Sequence, residues 1–405
     1  MSESTFQFIN TTAQLEKACE EISRCSVLCV DTEFHRESTY YPEFALLQIY
    51  GNSQCWIIDP IEIKDLDPIW EIMANPDILK VFHAGRQDVE IVVKESGSMP
   101  LPLFDTQVAA ALLGYGQQVG FGNLVQRITK RELAKGESFS DWKARPLREK
   151  QLEYAADDVI WLMPVFQHLK ERLEALGRLA WLDEEQAVLC DPATYDIDDQ
   201  QVFWRVKGSN RLKGRQLATL RTLAAWREQQ AQRNNIPRRR MLADEQLLEI
   251  ARRDKLTLEG MSRIRGVNPG FVKRHGDTIL KVWRAGVESP EAEWPKLPPR
   301  RHNTRGTDLR LEMLDTLVRL KAEEGEIAAS ILASKSDLSE LASWGYRCKG
   351  EPPEVASLQG WRYELVGHDL IRLLRGEICL HLNPLTGMPV ITAFSAETSS
   401  CDASA

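Results

Sequence analysis

Ser26-Val27-Leu28-Cys29-Val30 is apolar almost throughout and runs straight into Asp31-Thr32-Glu33. A short unbroken apolar run of this kind suits a strand covered on both faces, which puts it at the centre of a sheet with helices packed on each side. Up to about residue 190, short β-rich runs alternate with helical patterns, as in an α/β layered structure. Strands are expected at 5–9, 27–34, 44–50, 54–58 and 79–83. Three of them follow one another across short connections, so the sheet is expected to be mixed rather than purely parallel. Helical spacing is clearest over 147–176, where Leu152, Ala155, Val159, Leu162, Phe166 and Leu169 recur every three or four residues.

A chain of 405 residues predicts two or three domains. Apolar residues at 43% leave material for a large core and exclude disorder throughout. No run is long and apolar enough for a membrane span, and Met1-Ser2-Glu3-Ser4-Thr5 lacks the basic and apolar regions of a signal peptide, so a cytoplasmic location is expected. The 8 cysteines are scattered, with no CxxC pair and no zinc-like spacing to histidine, and are expected to be small buried apolar groups. No GxxxxGK[ST] motif supports ATP use. The acidic stretch 190–200 reads as a linker or domain edge. From 205 to 284 composition reverses, with 20 Lys and Arg against 7 Asp and Glu, a local charge of +13 in a chain whose net charge is −8. A proline-rich stretch at 289–299 reads as a second, extended linker. After it Leu309, Met313, Leu314, Leu317 and Leu320 share one helical face, and the last dozen residues read as a frayed end.

Strand side chains alternate, so Asp31 and Glu33 point to the same face. A carboxylate pair at a strand end is either half of a site for a hard divalent cation or a solvated turn. Asp88 follows the run Val81-Phe82-His83-Ala84-Gly85-Arg86-Gln87, which reads as a strand turning into a helix; the charge suits the positive helix end in any case. Tyr154 and Asp158 are four apart and share a helix face expected to look onto the sheet, whereas Asp157 lies about 100° around and reads as solvated. His35 and His83 read as packed or solvated. The glycine-rich run 114–122 lacks dinucleotide-binding spacing and is expected to be a loop near the site.

Asp31, Glu33, Asp88, Tyr154 and Asp158 resemble, in order and local sequence, the three motifs of the DEDD exonuclease superfamily, with the tyrosine of its tyrosine subclass. Asp31-Thr32-Glu33-Phe34, Thr39-Tyr40-Tyr41-Pro42, Phe82-His83-Ala84, Ser140-Asp141-Trp142 with Arg145-Pro146-Leu147, and Tyr154-Ala155-Ala156-Asp157-Asp158-Val159 are similar to the ribonuclease D family over most of 25–170. The resemblance implies a ribonuclease H-like mixed-sheet exonuclease domain (1–195) that trims RNA from its 3′ end with two divalent ions, Mg²⁺ or Mn²⁺, and releases nucleoside 5′-monophosphates. It implies that Asp31, Glu33 and Asp158 hold one ion, that Asp31 bridges to a second supported by Asp88, and that Tyr154 orients the attacking water. By the same resemblance Phe34 and Leu47 lie near the terminal nucleotide, or else in the core. Trp142 and Arg145 touch the substrate backbone, or else lock the start of the long helix.

The basic segment 205–287, with Ile236-Pro237-Arg238-Arg239-Arg240 and Gly276-Asp277-Thr278-Ile279-Leu280, resembles the helicase and ribonuclease D C-terminal (HRDC) domain, a small all-α bundle. Its charge suits phosphate contact, and Arg238, Arg239 and Arg240 are candidates for it. Residues 306–392 resemble a diverged second copy, also expected to be all-α, that either binds nucleic acid or packs against the other domains. The expected partner is RNA with a free 3′ end such as a transfer RNA precursor, bound by a monomer. A 3′ to 5′ DNA exonuclease and a catalytically silent nucleic-acid-binding scaffold are the competing functions.

Overall fold

The computed structural model describes residues 6–134, 136–137, 140–297, 305–345 and 350–394. The apolar run becomes β2 of a six-stranded sheet ordered β1-β4-β3-β2-β5-β6. The strands are β1 (Gln7–Ile9), β2 (Val27–His35), β3 (Glu43–Gly51), β4 (Gln54–Ile58), β5 (Leu79–Phe82) and β6 (Leu103–Asp105). β2, β3 and β4 form an antiparallel meander, while β1, β5 and β6 add in parallel. The mixed sheet and the central place of β2 follow the expectation; β6, only three residues long, was too short to read. The β2–β3 register slips at Glu33/Phe34. A bulge there bends the strand beside its acidic tip.

Around the sheet lie α1 (Thr12–Ile22), α2 (Asp67–Ala74), α3 (Arg86–Ser96), α4 (Thr106–Ala111), α5 (Phe121–Thr129), α6 (Glu149–Ile160), α7 (Leu162–Ala175) and α8 (Leu179–Cys190). Helix α1 shows the local logic. Thr11 caps it by accepting from the Gln14 amide, and Leu15, Ala18, Cys19 and Ile22 turn one buried stripe to the sheet. The pattern over 147–176 is two helices rather than one, interrupted at Trp161. Pro164 explains the break: its ring opposes the Ile160 carbonyl and it has no N–H to donate, yet it is tolerated in the first turn of α7.

Each sheet face carries its own core. Ile9, Leu15, Leu28, Val30, Leu47, Ile49, Trp56 and Phe82 pack under α1 and α2. Cys29, Leu46, Ile57, Ala155, Val159 and Phe166 pack under α6 and α7.

Residues 215–287 form α9 (Arg215–Arg233), α10 (Arg238–Met241), α11 (Asp244–Arg252), α12 (Leu258–Ser262) and α13 (Pro269–Val287). Their core, including Leu220, Leu223, Leu247, Met261 and Ile279, is a separate cluster. The last region holds α14 (Thr307–Glu324), α15 (Ala329–Leu332), α16 (Lys335–Trp344), α17 (Gly360–Arg362) and α18 (His368–Arg375), then a hairpin of β7 (Ile378–Leu382) and β8 (Pro389–Ala393). It is therefore helical but not all-α. Its buried Leu314, Leu317, Leu341, Val366 and Leu370 belong to the same cluster as Cys29 and Val159 of the sheet domain. Arg178 fastens the two, donating to the carbonyls of Leu112 (2.8 Å) and Gly325 (2.6 Å). The prolines at 298–299 and the final residues after 394 lie outside the described residues. Among those described, no helix is long and apolar enough to cross a membrane.

Candidate active site

Asp31 and Glu33 leave β2 on the face covered by α6, and Asp158 comes down from that helix. One ligand oxygen from each of the three lies within 4.8 Å of the others. Tyr154, one turn before Asp158, hydrogen-bonds its carboxylate. Asp31, Thr32, Glu33, His83, Phe121, Tyr154, Asp158 and Leu162 line a cleft of about 260 Å³.

Asp88, in the first turn of α3, is buried and approaches β2 from the other face. Its Oδ1 accepts from the Thr32 amide at 3.1 Å and from the Thr32 hydroxyl at 2.5 Å. It thus stands behind the strand that carries Asp31 and Glu33, close enough to act on their charge. The turn that delivers α3 is itself held: Asp105 accepts from the amides of Ala84 (3.2 Å) and Gly85 (2.8 Å) while capping α4. At Gly85 a Cβ would sit 2.5 Å from the Phe82 Cβ, so only glycine allows the turn to pass this close.

Asp31, Glu33 and Asp158 are half-buried and Asp88 is buried, and removal from water raises the proton affinity of all four. Burial first, then Asp88, Asp158 and Glu33, push Asp31 well above the usual carboxylate range. Burial, then Asp158 and Asp88, raise Glu33 to about 9. Burial raises Asp158 to about 7 against the pull of the Tyr154 hydrogen bond, and Asp88 to about 6 against that of Thr32. Such a cluster cannot hold its full charge by itself, and its donor set is all oxygen. Both properties fit hard divalent cations, which would restore the ionised carboxylates.

Other expected site residues fall differently. Phe34 is half-buried and, with His35 to Ser38 and Ser140 to Lys143, lines an adjoining cleft of about 540 Å³. Leu47 is fully buried in the core beneath α1 and α2. It pairs with Thr32, so alternation turns it to the face opposite the carboxylates and away from any nucleotide. Trp142 is nearly buried, with its ring 6.1 Å from that of Tyr154, and backs the tyrosine. Arg145 has its donors committed. Nε and Nη2 grip Asp59 at 2.6 and 2.8 Å, and Nη1 and Nη2 reach the carbonyls of Trp142 and Ala45 at 2.7 and 2.8 Å. It locks the loop before α6 to the sheet instead of reaching substrate. Arg238 is paired with Glu228 at 2.6 Å, leaving Arg239 and Arg240 exposed.

Three residues that support the site were not singled out as site residues in the sequence. Asp105 was readable as a helix cap ahead of Thr106-Gln107. Thr32 and His83 lie inside the Asp31-Thr32-Glu33 and Phe82-His83-Ala84 runs, and His83, expected to be packed or solvated, is packed. The His83 ring lies 2.9 Å from Thr106 Oγ1 and 3.0 Å from the Val119 carbonyl, tying the glycine-rich loop to the cleft.

A mixed sheet with converging acids on its central strand and facing helix defines the class, a 3′ to 5′ exonuclease domain, and the family model for that domain matches residues 6–174. The HRDC domain model matches residues 216–282. A ribonuclease D of Acidiphilium cryptum is 42% identical over 92% of this chain and 94% of its own length. One of Bartonella henselae is 37% identical over 93% and 92%. The crystal structure of Escherichia coli RNase D, described as an exoribonuclease involved in structured RNA processing, superposes with a TM-score of 0.77 at 32% identity, covering 92% of this chain and 99% of that one. The chain belongs to the ribonuclease D family of metal-dependent 3′ to 5′ exoribonucleases.

Proposed function

We propose that this protein removes nucleotides one at a time from the 3′ end of RNA and releases nucleoside 5′-monophosphates. The observation that carries the reading is the convergence of Asp31, Glu33 and Asp158 within 4.8 Å, with Tyr154 bonded to Asp158. Asp31, Glu33 and Asp158 would hold one divalent ion, Mg²⁺ or Mn²⁺. Asp31 would also face a second ion, supported by Asp88 through the strand and through water. Bound there, two such ions supply stabilisation of the attacking and leaving oxygens of an in-line displacement. Tyr154 positions the attacking water. Its hydrogen bond to the Asp158 carboxylate fixes the phenol beside the acidic cluster, which suits orienting the water.

Phe34 and the adjoining cleft are proposed to receive the terminal nucleotides. In the proposed division of labour, 1–195 cuts and 205–287 captures RNA through exposed Arg239, Arg240, Lys255, Arg265, Lys273 and Arg274. Residues 306–392, a diverged second HRDC-like unit, brace the catalytic domain. Structured RNA with a 3′ tail, such as a transfer RNA precursor, is the proposed substrate, met by a monomer. The six described cysteines are unpaired, which suits a reducing compartment, the cytoplasm.

The test is a time course on matched 5′-labelled RNA and DNA oligonucleotides, with and without chelator. A metal-dependent ladder that shortens from the 3′ end on RNA supports the reading. Faster digestion of DNA would transfer the activity to that substrate.

A further inference from the structure

The Thr39-Tyr40-Tyr41-Pro42 motif does no chemistry, yet the structure holds it tightly. Tyr40 is only 7% exposed, and its neighbours come from the HRDC domain nearly two hundred residues away. Its hydroxyl donates to Glu228, which is 1% exposed, and accepts from Gln232 Nε2 at 3.3 Å. Arg238 donates to the same Glu228 carboxylate at 2.6 Å and lies over the Tyr40 ring, 5.6 Å from its centre. At the end of α9, Asn235 adopts a left-handed backbone (φ 47°), and its Oδ1 accepts from the amides of both Tyr40 and Tyr41 at 3.1 Å.

These contacts close on the loop that joins β2 to β3, so the strand bearing Asp31 and Glu33 runs directly into the gripped segment. Between the two lie Phe34 to Ser38, one wall of the cleft completed by Ser140 to Lys143. A buried carboxylate shared by a phenol and a guanidinium is costly to leave unpaired, and this favours one position of the loop.

We infer that Glu228, Asn235 and Arg238 of the HRDC domain are positioning residues for the exonuclease, latching the Tyr40 loop so that the cleft wall stands where the RNA end must lie. The inference rests on the exonuclease reading. It makes the arginine of the Ile-Pro-basic run part of a mechanical tie between domains.

The test uses the full chain and a short 5′-labelled RNA at several salt concentrations. Tyr40→Phe, which keeps the ring and removes the hydroxyl, is expected to lower kcat/KM by about threefold to thirtyfold, mainly through KM. The dependence of binding on salt should match that of the wild type, because no phosphate contact is lost. Adding Arg238→Ala to Tyr40→Phe should cost little more than the worse single change. Asn235→Gly, which keeps the backbone unstrained but removes the acceptor, should behave like Tyr40→Phe, and Asn235→Asp should restore the wild-type KM. A silent Tyr40→Phe, strictly additive losses, or an Arg238→Ala variant whose salt dependence alone is flattened would overturn the latch. Failure of the wild-type chain to digest RNA would instead remove the exonuclease reading itself.

Discussion

At the scale of the residue, the site is a set of carboxylates held together against their mutual repulsion. Asp88, Asp158 and Glu33, raised to about 6, 7 and 9, all lie above the range of about 4 that they have when unfolded. The folded chain therefore holds more protons than the unfolded one between those limits. The stability that protonation confers is complete below a pH of about 4 and is lost as pH rises through 6 to 9. In chelator, the melting temperature is expected to fall between pH 5 and pH 9, and Mg²⁺ should raise it more at pH 8 than at pH 6. Scanning calorimetry at both pH values checks this; a metal effect independent of pH would contradict it. Asp31→Asn removes one repelling charge, so in chelator it should melt higher than wild type while losing Mg²⁺-dependent trimming. A lower melting temperature would show that Asp31 supports the fold rather than straining it.

At the scale of the element, the acidic pair was legible because a period of two is all that is needed to put Asp31 and Glu33 on one face. The same rule, once the β2–β3 register is known, turns Leu47 away from the site, but register is set by pairing and was hidden in the chain. The break between α6 and α7 was written in Pro164 and was masked by the apolar spacing on either side. Arg145 was ambiguous because its partner Asp59 lies on the far side of 85 intervening residues and only the fold unites them. That ion pair is mostly buried, with side-chain exposures of 17% and 1%. Asp59→Ala strands the guanidinium, and a loss of about 3–5 kcal/mol is expected in urea unfolding. Activity should fall further than stability alone explains, since Trp142, behind Tyr154, sits in the same loop. A loss below about 1 kcal/mol would mean that the loop is held by other contacts.

At the scale of the whole molecule, the cores divide the chain differently from its linkers. The bundle from 202 to 283 has its own buried cluster, whereas the residues after 305 share theirs with the sheet domain. A fragment spanning 197–297 is therefore expected to unfold cooperatively alone, while a chain ending at 297 should expose apolar surface, bind a hydrophobic dye and aggregate. Independent folding of that truncated chain would argue that the shared core is dispensable. The basic bundle was legible as charge, and the acidic motifs as a family pattern; the Tyr40 grip and the shared core were not, because both are contacts between residues far apart in sequence. The measurement that bears most directly on the site is product analysis on a 3′-tailed RNA by wild type, Asp31→Asn and Asp158→Asn, each confirmed folded by circular dichroism. The wild type is expected to yield nucleoside 5′-monophosphates only when Mg²⁺ or Mn²⁺ is present, with both variants reduced at least about a thousandfold. Undiminished release by either folded variant, or a ladder that survives chelator, would contradict a metal-assisted site built on these carboxylates.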